Sequence, residues 1–172
     1  KIKKTKNKKL TCLIMDNGNR AMTKHINKTL SYLNNINNIN FILRTDFLSF
    51  RSKRIISKSR NLSGVKGLRN THQSILRSDF IIARGGFNTL SECLVLKKPS
   101  LLFNEYGNPE VKGNLDIMIK KKFCGVIKSS DFGKNIENRL NFFLKNEILK
   151  LKKNLNKIKF KKNGADQAAK YI

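Results

Sequence analysis

Apolar residues along this chain fall into short dense runs separated by polar stretches with helical spacing. "LTCLIM" (Leu10 to Met15) is a β-rich apolar run that stops at Asp16-Asn17-Gly18, a strong turn signal. From about Arg20 to Asn34, Met22, Ile26, Leu30 and Leu33 recur at the spacing of one helix face. "NFILRT" (Asn40 to Thr45) reads as a second buried strand. Residues 46 to 66 carry little pattern, and one short strand around Ile55 and Ile56 is the element expected there. Beyond them, Asn70 to Arg77 predicts a short helix, and "DFIIA" (Asp79 to Ala83) a strand running into Arg84-Gly85-Gly86. Asn88 to Lys97 predicts a helix halted by Pro99, and "SLLFN" (Ser100 to Asn104) a strand followed by a polar loop, Glu105 to Pro109. Val111 to Lys122 reads as helix, Cys124 to Ile127 as strand and Gly133 to Lys145 as helix, with terminal helices over Ile148 to Phe160 and Ala165 to Tyr171.

Strands therefore alternate with helices, and the strands are near-continuous apolar runs. That is the pattern of an α/β fold: a Rossmann-like parallel sheet with helices on both faces and right-handed crossovers. A length of 172 residues suits one domain. The expected division is a basic linker remnant over residues 1–8 and a single domain over 9–172. The chain begins at Lys1 with neither an initiator Met nor a signal-peptide core, and we read it as a fragment of a longer protein.

Charge changes the picture less than its size suggests. Lys and Arg number 37 against 11 Asp and Glu, a formal charge of +26. Such a balance raises nucleic acid or an anionic membrane as partner. Yet "KIKKTKNKK" and "NNINNIN" show Lys, Asn and Ile abundant together, which the coding bias of a low-GC genome also produces. The lysine runs hold only isolated Phe160, too little aromatic interleaving for nucleic acid. In "LKKNLNKIKFKK", Leu151, Leu155 and Ile158 lie at helical spacing, which fits a helix packed on its own domain better than a membrane-surface helix. No apolar run approaches the ~18 residues of a spanning helix. Cys12, Cys93 and Cys124 are odd in number and far apart, which gives neither a disulfide framework nor a metal site and points to a reducing, cytosolic compartment.

Ligands of open α/β sheets sit beyond the carboxyl ends of the strands, so the strand-to-helix loops are where chemistry is expected. In "DFIIARGGFNTLSE", Gly85 and Gly86 remove Cβ atoms at a strand end, where the backbone can turn sharply and approach a ligand. The NH groups of Phe87, Asn88 and Thr89 then face outward at the positive end of a helix, the physics of a phosphate site. Glu92, one turn in, has a carboxylate suited to two hydroxyls of a ribose. The competing reading is a tight turn with Asn88 as an ordinary N-cap. In "NEYGNPEVKGNL", Asn104, Glu105, Asn108, Glu110 and Asn114 cluster where ligand contacts are expected, or else form a solvated loop with Pro109 and Glu110 opening a helix. Asp16 to Arg20, which contains Gly18, could approach a phosphate or a sugar, or be only a turn.

The segment "ARGGFNTLSECLVLKKPSLLFNEYGNPEVKGNLDIM" resembles the donor-binding half of GT-B glycosyltransferases. It is most similar to family 28, which includes the lipid-linked N-acetylglucosaminyltransferase of peptidoglycan synthesis, and it also resembles related UDP-sugar hydrolases. The closing "NGADQAAKYI" is similar to the Gly-Ala-x-x-Ala-Ala segment that ends this domain. The resemblance covers most of the chain from Leu10 and is specific from about Leu68 to Leu115. It implies that the backbone of Gly86, Phe87, Asn88 and Thr89 holds the nucleotide phosphates, with Gly85 shaping the turn, and that Glu92 grips the ribose. It implies main-chain contacts of Leu68 to the uracil edge and a Glu110 side chain on the donor sugar, a position often Gln in relatives. The first loop, with Gly18, departs from the more glycine-rich loop of relatives.

No Asp-x-Asp is present, so the helix dipole, the amides and Arg84 or Arg20 would offset the diphosphate charge, and a metal-free mechanism is expected. No resident cofactor is implied, the UDP-sugar being a co-substrate. His25 and His72 are isolated and read as surface or helix-end residues, the general base of relatives lying on the acceptor half. The resemblance thus implies a metal-independent glycosyltransferase of cell-envelope polysaccharide synthesis. Its partners would be a UDP-sugar and an acceptor domain or subunit, in the cytoplasm or at the inner face of the membrane. A UDP-sugar hydrolase and a non-enzymatic basic module are the alternatives.

Overall fold

Six short strands are hydrogen-bonded side by side, each pair parallel, in the computed structural model of this chain, which describes residues 9–16, 20–67 and 71–159 (backbone alone at 71 and 72). In chain order the elements are β1 (Leu10–Met15), α1 (Thr23–Leu33), β2 (Ile39–Arg44), α2 (Phe50–Lys58), β3 (Leu62–Val65), α3 (Thr71–Arg77), β4 (Phe80–Arg84), α4 (Phe87–Val95), β5 (Ser100–Phe103), α5 (Pro109–Lys120), β6 (Gly125–Ile127), α6 (Ile136–Phe142) and α7 (Ile148–Asn156). The sheet order is β3-β2-β1-β4-β5-β6.

The near-continuous apolar runs become strands because both faces of the sheet are covered. Cys12, Ile14, Phe41, Leu43, Phe80 and Ile82 pack on one face against Ile26 and Leu30 of α1, Ile56 of α2, Leu140 of α6 and Leu151 of α7. On the other face Leu13, Met15, Ile81 and Ala83 meet Ile75 of α3 and Cys93 of α4, and Leu102 meets Leu115 and Met118 of α5. Burial of Phe41, Phe80 and Phe143, none of them exposed, contributes about 1.5–3 kcal/mol each.

Three elements differ from expectation. Residues 50–58 form a helix where a strand around Ile55 and Ile56 was expected, and β3 lies after it. Ser49 caps that helix by accepting the Ser52 N–H at 3.2 Å, and only Ser52 and Ile56, four apart, are buried. Two inward positions among exposed Arg51, Lys53, Arg54 and Lys58 are too few to show a period. The helix expected over Gly133 to Lys145 starts with two 3₁₀ turns, Ser129–Asp131 and Gly133–Asn135, and a π-helical turn, Phe143–Glu147, joins α6 to α7. The C-terminal helix stops at Asn156, and the one expected over Ala165 to Tyr171 lies outside the described residues.

Ile148, Leu151 and Leu155 of α7 are buried, so that stripe packs on its own domain. No helix among the described residues is long and apolar enough to cross a membrane. The three cysteines are buried and free, and burial pushes the Cys93 and Cys124 thiols up to about 12.

Candidate functional site

The strand order reverses between β1 and β4: the chain leaves β1 toward β2 on one side and β4 toward β5 on the other. Loops that diverge from adjacent strand ends leave a crevice, the usual ligand position of such sheets. Asp16, just past β1, and the turn Arg84-Gly85-Gly86 after β4 border it.

Asp16 is buried, and its Oδ2 accepts the Met22 N–H at 2.9 Å and the Thr23 hydroxyl at 2.8 Å. It binds the N-cap residue and the first side chain of α1 and so ties the end of β1 to the start of that helix. Gly18 lies outside the described residues. Arg20, at φ 59°, lays its guanidinium over the Phe47 ring at 4.7 Å, and Arg44 approaches the same ring at 5.6 Å. Arg20, expected to offset phosphate charge, thus rests on an aromatic ring at the end of β2. Arg44 pairs with Asp46 at 2.7 Å, and Asp46 also accepts the Gly67 N–H at 3.2 Å. These bonds, Arg44 first, hold the Asp46 carboxyl below its ordinary range. They bind the loop after β2 to the end of β3, where Gly67 at φ 74° turns the chain toward Leu68, itself outside the described residues.

At the second segment α4 begins at Phe87, and its N-cap is Gly86 (φ −72°, ψ 148°), not Asn88. Gly86 has no side chain with which to cap, and the first turn holds no acid. Leu90 N–H closes the first intrahelical bond to the Gly86 carbonyl at 3.1 Å. The positive end of α4 therefore opens into the crevice without a capping side chain from its own N-cap, with Phe87 and Asn88 exposed and Thr89 buried. Neither glycine adopts a left-handed φ, so the sharp turn expected of them is not their service. A Cβ on Gly85 would make only ordinary contact with Val111, and one on Gly86 would meet the Arg84 Nη1 at 3.3 Å. What the missing methyls provide is room at the helix start.

Arg84 donates from Nε to the Glu105 carboxylate across the ends of β4 and β5, with both side chains mostly buried. The guanidinium expected to meet a diphosphate is thus held beside Gly86 with part of its charge already matched. Asn114 Nδ2 donates to the Gly85 carbonyl at 3.3 Å, which makes Asn114 a support of the turn. Asn108 accepts the Val111 N–H at 3.2 Å and Pro109 takes the first helical position, so this loop carries the ordinary opening of α5. Glu110 is exposed on that first turn. Glu92 is half-buried on α4, and its carboxylate has no hydrogen-bond or ion-pair partner among the described residues.

Sequence reasoning missed one contact here. His25, read as a surface or helix-end residue, stands in the first turn of α1, and its ring meets those of Phe103 (5.3 Å) at the end of β5 and Phe132 (5.2 Å) after β6, which also meet each other. Burial lowers its pKa, Lys28 and Lys24 lower it further, and Asp16 acts weakly the other way. The imidazole is therefore neutral at neutral pH. No local signal marks His25, because both partners come from far along the chain.

No family model matches the sequence, and no curated protein matches it. Solved structures do match the fold. MurG from Acinetobacter baumannii aligns with TM-score 0.70 at 14% identity over 98% of this chain and 53% of its own. The glycosyltransferase SnogD from Streptomyces nogalater aligns with TM-score 0.66 at 14% identity, over 95% of this chain and 43% of its own. A UDP-GlcNAc 2-epimerase from Neisseria meningitidis, solved bound to UDP-GlcNAc, aligns with TM-score 0.58 at 14% identity over 84% and 38%. This chain thus spans about half or less of the length of each. Its fold is the Rossmann-like α/β unit that makes up one half of GT-B glycosyltransferases.

Proposed function

We propose that this chain is the donor-binding half of a metal-independent glycosyltransferase, of the family 28 kind, that moves a sugar from a UDP-sugar to an acceptor held by another domain or subunit. The observation that carries the reading is the start of α4. A helix without a capping side chain opens at the strand-order reversal behind two glycines whose side chains the fold itself has room for.

In this reading the backbone of Gly86, Phe87, Asn88 and Thr89 receives the diphosphate, and Arg84, steadied by Glu105, lies alongside. When the bond from the sugar to the diphosphate breaks, negative charge grows on the leaving group. Fixed amide dipoles stabilise that charge without reorganising. Glu92 accepts the ribose hydroxyls, main-chain groups near Leu68 read the uracil edge, Glu110 reaches the donor sugar, and the loop with Gly18 closes the far side. The acceptor and the general base come from outside this chain, which alone binds nucleotide and turns nothing over. A cytoplasmic location and an acceptor destined for the cell envelope belong to the same proposal.

Calorimetric titration with UDP, UDP-sugars and other nucleotides, with and without EDTA, tests it. UDP should bind, more tightly than the others, and EDTA should not change the affinity. Absence of UDP binding, or equal binding of every nucleotide, would refute the donor site. A second reading has one specific support: a UDP-GlcNAc 2-epimerase, solved bound to UDP-GlcNAc, shares this fold. The UDP-sugar would then be hydrolysed or rearranged. Products of the full-length protein with and without acceptor separate the two, free sugar marking hydrolysis and a glycoside marking transfer.

A further inference from the structure

Beside the last strand of the sheet runs a groove that meets the donor-site loop only at its far end, where Asn104, Glu105 and Asn108 line it. The free edge of β6 lies between α5 on one face and α6–α7 on the other. Three adjoining depressions of about 530, 550 and 720 Å³ follow it and share Ile119. The one beside the start of β6 has Ile119 and Phe142 on its floor and Lys122, Lys150, Lys153 and Lys157 around it. Ile119 is 44% and Phe142 54% exposed, a marked solvent exposure for two large apolar side chains that line one depression.

The walls are fixed from inside. Asn154 Nδ2 donates to the Lys122 carbonyl at 3.1 Å and joins α7 to the end of α5. Arg139 donates from Nε and Nη2 to the Val126 carbonyl, at 2.9 and 2.7 Å, and from Nη2 to Glu147 at 2.9 Å. Glu147 is the one carboxylate among the residues lining this depression, and Arg139 engages it. No ion pair of the described residues involves the four lysines. Lys153 and Lys157 stand one helical turn apart, where like charges repel.

These facts choose the occupant. Ile127 directs its carbonyl to Asn104, just past β5, so Val126 directs its peptide groups outward, and Arg139 already takes that outward carbonyl. An added strand would find its acceptor gone. A flat bilayer would meet the lysines with phosphates but would not follow depressions that run between α5 and α7. A second copy of a chain with charge +26 would bring more lysines to the lysines. Nucleic acid would satisfy the charge, but Phe142 offers one ring for stacking where successive bases need several, and Ile119 offers none. An amphipathic helix meets every condition, with an apolar stripe on Ile119 and Phe142 and carboxylates along both flanks. We propose that this groove docks an acidic amphipathic helix of a partner protein. It stands independently of the nucleotide reading.

The probe is a fluorescent Leu/Glu peptide of roughly 14 residues, four turns of helix, patterned for one apolar stripe. Its control is a scrambled peptide of the same composition. By anisotropy the intact chain should bind the patterned peptide about tenfold or more tighter than the scramble, roughly 1.4 kcal/mol. Ile119→Asp and Phe142→Asp, at positions already in water, should each abolish that preference while leaving the melting curve unchanged. Lys150→Glu with Lys153→Glu should weaken both peptides. On the unmodified chain, amide shifts should gather on the second half of α5 and on α6–α7. Equal affinity for the two peptides, a preference that survives Phe142→Asp, or shifts gathered elsewhere would overturn the proposal. So would displacement of the patterned peptide by phosphatidylglycerol vesicles or single-stranded DNA that itself requires Phe142.

Discussion

Gly125 and the pair Gly85-Gly86 are glycines at opposite ends of their strands, and they serve opposite needs. A Cβ on Gly125, at the start of β6, would lie 2.6 Å from the Glu147 Oε2, 2.9 Å from the Leu101 Cδ2 and 3.2 Å from the Arg139 Nη2. That glycine exists so that the Arg139–Glu147 pair can lie on the sheet edge. Beyond β4, by contrast, a Cβ on Gly85 meets nothing closer than 3.5 Å, and one on Gly86 meets only the end of a flexible arginine. Nothing in this fold demands glycine there. One glycine is fixed by internal packing, and the other two leave space that faces outward, where a ligand could use it.

The largest expected effect on folding breaks the packing side of that contrast. Gly125→Ala should destabilise the chain by about 1–3 kcal/mol, the usual cost of an overpacked core, measured by urea denaturation, and should leave any UDP affinity of the folded fraction intact. Next comes the ligand side. Glu92→Ala should lower UDP affinity by about 1.5–3 kcal/mol, roughly 10- to 150-fold, as expected for hydrogen bonds to a charged group, with an unchanged melting temperature. Unchanged affinity would remove the ribose assignment. Gly86→Ala should fold with a stability change of under about 1 kcal/mol, since its φ and ψ suit any residue, yet it should weaken UDP severalfold by crowding the helix start. If Gly86→Ala instead unfolds the chain while Gly125→Ala does not, the contrast is reversed.

The smallest effect is one of pH. His25 has a pKa lowered by burial against Phe103 and Phe132, below the ordinary 6.5 of the unfolded chain. Below that value the unfolded chain takes up the proton first, so stability falls as pH drops through 6.5 toward the folded pKa, and it is fully present above 6.5. His25→Phe keeps the ring and removes the proton. Its melting temperature should decline less than the parent's between pH 7 and pH 5, which paired thermal melts would reveal.

Where the sequence was legible, a local cause was at work. Cys12 to Met15 and Phe80 to Ala83 had to be strands buried on both sides because no polar residue interrupts them. Pro109 marked a helix opening because its chemistry acts at its own position, whereas the opening of α4 was read at Asn88, two residues past its N-cap Gly86. α2 was hidden because a helix at the β2–β3 end buries only Ser52 and Ile56, too few to reveal a period. The candidate site divided along the same line. The amide-lined start of α4 could be read from Gly85, Gly86 and the residues behind them. The attachment of Asn114 to the Gly85 carbonyl, the pairing of Arg84 with Glu105 and the resting of Arg20 on Phe47 all join residues from different loops.

By itself the sequence determined the alternation of strand and helix, the parallel sheet that follows, and the presence of a glycine-flanked helix start. Each depends on contacts within a few residues, and the order of side chains fixes such contacts directly. Only the tertiary structure decided which loops meet at the reversal of strand order, which arginine is already engaged, and which glycine the packing requires. Those outcomes depend on the register of strands far apart in the chain, and no local pattern carries that distance.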